Sequence, residues 1–260
     1  CLLTPDVPVN EGCFEPISVR APEGTIINAT FPISVGSRTN TGWYIHGCIF
    51  GALAKALPDR IQSGNGLMSS IRTYGTAADG RIFNAHLCVG GGRGATSQGD
   101  GMGQNMFPSS ASNVPVEVFE LNSPTLIVAK ELITDSAGAG RHRGAPAQRV
   151  IVGKLPSHPD PLNIYFPPNR LSFAPQGIFD GHPGTKTEVI HNGDVLSDDP
   201  SSMTNGYVTL ENSDDRLILE FPSGAGVGDP TGRPSELVDR DVKNGLVSEE
   251  SAKSKYGHDD

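Results

Sequence analysis

Tyr207-Val208-Thr209-Leu210-Glu211-Asn212-Ser213-Asp214-Asp215-Arg216-Leu217-Ile218-Leu219-Glu220-Phe221 is the stretch whose reading decides the fold class. Both ends are aliphatic and β-branched, and the middle is polar. Side chains alternate along a strand, so Leu217, Leu219 and Phe221 share one face, which belongs in a core. The polar middle predicts a turn, and the whole reads as a hairpin joining 207–210 to 216–221. Asn192-Gly193 marks a second hairpin, since both residues tolerate the positive φ that a tight strand-to-strand turn needs.

Outward from these hairpins the chain stays β-rich. Candidate strands are 126–133, 149–153 and 163–166, with an earlier alternating run from Arg81 to Val89. From Asp59 to Gly80 the pattern is weak and reads as loop. The clearest helix is an amphipathic one near 43–57, where Ile45, Cys48, Ile49, Ala52, Leu53 and Ala56 recur at i, i+3 and i+4 spacing. Asn40 or Thr41 can cap it and Pro58 ends it. Gly47 and Gly51 leave room for another element. Two short helices close the chain: one begins near Pro234 and stops at Asn244-Gly245, the other is capped by Ser248 and ends at Gly257.

The 260 residues include 32 glycines and 21 prolines, which favours turns and short elements over a helical bundle. The expected class is α+β, β-rich, with many Gly/Pro loops. Residues 1–112 read as an α+β segment and 113–260 as a mainly β segment with the terminal helices, joined as two segments or as one continuous domain. A net charge of −9 and no Lys/Arg cluster give no support for a nucleic-acid partner. No apolar run is long enough for a membrane span, and a cytoplasmic setting with reduced thiols is expected. Cys48 and Cys88 read as small buried hydrophobes. The first residue is Cys1 and the opening resembles a domain interior, so a fragment, a processed chain or one piece of a larger polypeptide is expected.

Chemistry-bearing residues concentrate in Asp135-Ser136-Ala137-Gly138-Ala139-Gly140-Arg141-His142-Arg143-Gly144. Two guanidiniums set this close suit an anion, and they suit internal ion pairs equally well. Ser136 near His142 suggests a nucleophile only weakly, for no G-x-S-x-G elbow is present. The glycine runs 90–94 and 223–230 lack a phosphate-loop lysine and read as packed turns. Glu117 and Glu120 would share a side in a helical turn and face apart in a strand. The seven histidines form no HxxxH or HExxH pair, so no metal site is supported within this chain.

Several stretches follow one order: Asp6-Val7-Pro8-Val9-Asn10-Glu11-Gly12; Pro22-Glu23-Gly24-Thr25-Ile26-Ile27-Asn28 with Pro32 and Arg38; Gly91-Gly92-Arg93-Gly94-Ala95 with Asp100-Gly101; Phe107-Pro108-Ser109 with Asn113 and Pro115-Val116-Glu117 through Glu120; the Asp135–Gly144 run; and Gly226-Val227-Gly228-Asp229-Pro230 with Asp241-Val242 and Gly245-Leu246-Val247-Ser248. Together they resemble the hydantoinase B family, which includes N-methylhydantoinase B subunits, the C-terminal half of 5-oxoprolinase and related subunits of ketone carboxylases. Ala137, Ala145 and Ala225 stand where that pattern has glycine, and Val227 where tyrosine is frequent.

The resemblance implies part of a B-type subunit of an ATP-dependent cyclic-amide hydrolase, inactive alone. An A-type partner would bind ATP and Mg²⁺ and activate the substrate. An N-terminal B-type half would carry any divalent metal, and none is expected on this chain. Asp100, Glu117 and Asp135 are the candidate acid/base or orienting groups. Arg38, Arg141 and Arg143 are the candidates for substrate binding. Alternatives are a subunit of an ATP-dependent ketone carboxylase and a non-catalytic scaffold in such a complex.

Overall fold

The computed structural model describes residues 10–258 apart from Ser37, Ser110, Ser112, Pro200, Ser202, Thr204 and Asn205. Asp6 to Val9 of the first motif, Cys1 and the terminal Asp259-Asp260 lie outside the described residues. Among the described residues nine strands form two antiparallel sheets. They are β1 (Met68–Thr76), β2 (Ile82–Gly90), β3 (Thr125–Leu132), β4 (Gln148–Lys154), β5 (Leu162–Tyr165), β6 (Glu188–His191), β7 (Asp194–Val195), β8 (Tyr207–Leu210) and β9 (Leu217–Phe221). One sheet runs β2-β1-β5-β8 and the other β3-β4-β9-β6-β7. The first sheet therefore joins strands from both sides of residue 112. The helices are α1 (Arg38–Leu53), α2 (Val116–Leu121), α3 (Ser235–Lys243) and α4 (Glu249–Tyr256). The architecture is α+β, as the strand pattern predicts.

The opening stretch corrects one expectation. β8 and β9 are both strands, but they do not pair with each other. β8 pairs with β5 (Leu162↔Leu210, Ile164↔Val208), whereas β9 lies between β4 and β6. The link between them crosses from one sheet to the other, pinned where Asp215 accepts from the Asn212 N–H at 2.8 Å. Alternation shows that Val208, Leu210, Leu217, Leu219 and Phe221 face one core. It cannot show whether two strands reach that core from the same side. One buried cluster gathers Ile71, Phe83, Leu87 and Ile164 from the first sheet, Val150, Val152 and Leu219 from the second, and Phe119 from α2. Each such side chain stabilises the fold by about 1.5–3 kcal/mol relative to exposure.

The Asn192-Gly193 hairpin forms as expected, with both residues at positive φ between β6 and β7. β1 departs from the loop expected over 59–80, because its buried residues include Ser69, Ser70 and Thr73 as well as Ile71. Thr125 Oγ1 donates to Thr73 Oγ1 at 3.3 Å and accepts from Ser123 at 2.8 Å. Paired hydroxyls offset the desolvation that would otherwise make such a strand costly. They also remove the apolar alternation that marks a strand.

Helix α1 starts five residues before the expected Trp43 and ends at Leu53, where a further turn carries the chain towards Pro58. Its expected apolar stripe is not its buried face. Ile45, Cys48 and Ile49 are exposed, and Phe50 is the helix residue that is buried. Gly47 and Gly51 meet no other element among the described residues. The helix is anchored instead by rings of intermediate exposure, Tyr44 and His46. Cys88 is also of intermediate exposure rather than buried.

Candidate functional site

Three glycine-bearing loops meet through main-chain hydrogen bonds. The backbone of 91–101 bonds to 143–145 (Gly101 N–H to Arg143 O, 2.7 Å; Ala145 N–H to Arg93 O, 2.9 Å). The 138–145 segment bonds in turn to 224–228 (Gly138 N–H to Gly224 O, 3.0 Å; His142 and Val227 exchange both bonds). The three runs are built against each other's main chains. A Cβ on Gly144 would strike the Gly224 carbonyl, and one on Gly224 the Arg93 carbonyl. Ala145 and Ala225 sit fully buried in the same wall, so their methyl groups are accommodated. The runs are packed turns, as their lack of a phosphate-loop lysine predicts.

A network of four charged residues lies behind this wall. Arg143 donates from Nε and Nη2 to both oxygens of Asp241, at 2.7 and 2.9 Å. Arg233 donates to both oxygens of Asp100, at 2.7 and 2.8 Å, and also to Asp241 at 2.7 Å. Asp100 further accepts the Arg143 N–H at 3.0 Å. Arg143, Arg233 and Asp241 are buried, whereas Asp100 is partly exposed and reached by Arg240 from solvent at 3.3 Å. Burial would raise the Asp100 carboxyl, but hydrogen bonds and charge from Arg233, then Arg143, hold it below the usual carboxylate range. Burial pushes the neighbouring Tyr256 up to about 12 against the pull of both arginines.

The six candidate residues are thus placed differently. Asp100 and Arg143 are brought together, and both are saturated by ion pairs, so the internal-pair reading holds for Arg143. Arg141 is exposed, and its side chain pairs with no carboxylate among the described residues. Its backbone is fixed by N–H to Gly228 O at 3.1 Å and by its own carbonyl, which accepts from Arg233 at 3.1 Å. Asp135 has a positive φ of 61° and accepts from Ser248 N–H at 2.8 Å, which ties the loop to the start of α4. Burial acts to raise its pKa, but bonds from Ser248 and Ser251 and the charge of Lys255 lower it on balance. Arg38 is exposed at the start of α1 and Glu117 in the first turn of α2. No hydrogen bond or ion pair links either to the Asp100 network among the described residues. Glu117 and Glu120 do share a helical turn, where Glu120 accepts from Ile127 N–H at 2.7 Å.

Ser136 is not poised as a nucleophile: it donates to Ile133 O at 2.6 Å and accepts from Ala147 N–H at 2.8 Å. His142 stands half-buried on the rim beside Arg141. Its pKa is lowered by burial, which together with Arg141 and Arg233 outweighs Asp100, so the charged imidazole is disfavoured. Among the described residues no three His, Cys, Asp or Glu side chains converge to hold a metal ion, and no helix is long and apolar enough to cross a membrane. Sequence reading missed Arg233, which sits 133 residues from Asp100 in a stretch without any local signal. Two further arginines, Arg93 and Arg170, stack on Phe107 and Tyr44 at 5.2 and 4.8 Å.

Comparison with known proteins gives this geometry a family. The model described as Hydantoinase B/oxoprolinase matches residues 1–230. An uncharacterized protein of Methanocaldococcus jannaschii is 31% identical over 98% of this chain and 44% of its own length. Caprolactamase subunit beta of Pseudomonas jessenii is 30% identical over 96% of this chain and 44% of its own length. The chain therefore spans less than half the length of these curated relatives. Among solved structures, the crystal structure of ATP-dependent caprolactamase from Pseudomonas jessenii superposes with a TM-score of 0.81 over 98% of this chain and 46% of that one, at 24% identity. A nucleotide-free acetone carboxylase superposes with a TM-score of 0.58 over 79% of this chain and 31% of the other, at 17% identity. Both show the same fold.

Proposed function

The chain belongs to the hydantoinase B/oxoprolinase family, and on that premise we propose that it forms part of the B-type subunit of an ATP-dependent complex that opens cyclic amides. An A-type partner would hold ATP and Mg²⁺ and activate the substrate oxygen. This chain would supply one wall of the pocket that receives the activated, anionic species. No step is assigned to a metal here, since the described residues do not fit one.

The observation that carries this reading is Arg141. A hydrogen-bonded backbone presents its guanidinium to solvent with no carboxylate partner among the described residues, next to His142, whose charged form burial disfavours. Such a charge suits an anion that forms during reaction, because a donor fixed in advance needs no reorganisation. Asp100, Asp135 and Arg143 are proposed to position that loop, and Arg38 and Glu117 to serve only where other polypeptide completes the pocket. A scaffold role is the second reading, favoured by the saturation of Asp100, Arg143, Asp135 and Ser136 within the chain. Arg141→Ala in the assembled complex separates the two. The pocket reading expects ATP-dependent ring opening to fall by about 10²-fold or more, a typical loss for one transition-state donor, with co-elution of the subunits unchanged. Loss of co-elution would favour the scaffold, and undiminished turnover in an intact complex would overturn the pocket reading.

A further inference from the structure

The buried arginines among the described residues come with carboxylates, whereas the half-buried Arg93, Arg170 and Arg216 do not, and of these Arg170 lines an apolar cleft. Arg143 and Arg233 share Asp241 and Asp100. Arg170 meets no carboxylate among the described residues. Its Nη2 donates to the Asn65 carbonyl at 3.0 Å, its guanidinium lies 4.8 Å from the Tyr44 ring centre, and its Nε is buried without a partner. A desolvated cation with an unmade hydrogen bond is costly unless something else neutralises it. Burial correspondingly pulls its pKa down.

The position is constrained. Arg170 has φ of +58°, a left-handed conformation that a non-glycine residue adopts only when its surroundings hold it there. Two bonds hold this stretch: Thr187 N–H donates to the Arg170 carbonyl at 3.2 Å, and the Asn169 side chain donates to Met68 O at 3.2 Å. The side chain so fixed lines a cleft of about 410 Å³ whose other walls are mainly apolar: Tyr44, Pro168, Leu171, Phe173 and Met203. That volume suits a small organic molecule, and one cation among apolar walls suits a single negative charge on a carbon skeleton.

We propose that the Arg170 cleft binds a small organic carboxylate, the guanidinium taking the carboxylate and Tyr44, Phe173 and Met203 the apolar body.

Ligand-observed NMR on the chain, without ATP or partner, tests this site. The probes are 2-oxopyrrolidine-5-carboxylate, cyclohexanecarboxylate, uncharged 2-pyrrolidinone and inorganic phosphate. Saturable binding of both carboxylates is expected, with neither 2-pyrrolidinone nor phosphate bound. Arg170→Gln should weaken the carboxylates by about tenfold or more, as loss of a charge-assisted bond implies. Phe173→Ser, at an exposed position that folding does not depend on, should weaken cyclohexanecarboxylate several-fold. No carboxylate binding, equal binding by Arg170→Gln, or preference for phosphate would overturn the site. Intact binding in a complex that opens no cyclic amide would overturn the family-based activity and leave the site standing.

Discussion

Asp241 decides at the residue scale whether the wall holds its shape. It is almost fully buried and takes three hydrogen bonds from two guanidiniums. Removing one member of a buried ion network leaves the others uncompensated, which costs about 3–5 kcal/mol. Asp241→Asn should therefore lower the urea midpoint sharply, and a midpoint within error of the parent would show that the network carries little stability. Asp100 adds a pH dependence with a definite sign. Its folded pKa is depressed, so its contribution is fully present above the unfolded value of about 4 and is lost as pH falls through the folded value below that. Melting temperature should hold between pH 7 and 5 as far as this group is concerned, then fall in the acid range. Asp100→Asn should start lower at pH 7 and fall less steeply, as circular dichroism melts at each pH would read.

Elements were legible where their physics is local. The end of the chain is the clearest case: Ser248 Oγ accepts from Ser251 N–H at 3.1 Å, and Gly257 closes α4 in the left-handed region, as the capping residues predict. Ser248→Ala should cost about 1 kcal/mol, read as a shift in denaturant midpoint, and no shift would mean that Asp135 alone anchors this helix start. β4, β9 and the Asn192-Gly193 turn were legible for the same reason, since alternation and turn chemistry need only neighbours. β1 was hidden because its buried face uses paired hydroxyls. The partner of β9 was hidden because two strands that face one core look alike whether they share a sheet or oppose one another. Helix α1 misled because its apolar spacing is real but its buried contacts run through Phe50, Tyr44 and His46. In the site, Asp100, Asp135 and Arg143 were visible as residue types in a pattern. Their saturation was not, because Arg233 and Asp241 come from about a hundred residues further along the chain.

The whole molecule divides its stability unevenly. Both sheets and α2 share one apolar core, and the glycine loops are locked to it by main-chain bonds. Residues 14–35 contribute nothing to that core: Phe14, Ile17, Val19, Ile26, Ile27, Phe31, Ile33 and Val35 are all exposed, Phe31 by 98%. Main-chain bonds in this segment are short-range turns, such as Ile17 N–H to Phe14 O and Asn28 N–H to Thr25 O. Opening such turns exposes no buried surface, so their amides should open at almost no cost, whereas amides of β4 and β9 open only when the core does. Hydrogen exchange on the isolated chain should thus show residues 14–35 exchanging at least roughly 10³-fold faster than Val150, Val152 and Leu219, the factor that a marginally stable core sets. So many exposed apolar side chains on one segment are also what a surface awaiting another polypeptide presents. Under the multi-subunit reading, adding the A-type partner and the remaining B-type polypeptide should slow exchange in 14–35 while leaving β4 and β9 unchanged. Slow exchange there in the isolated chain would overturn the first expectation, and exchange indifferent to every added subunit would overturn the second.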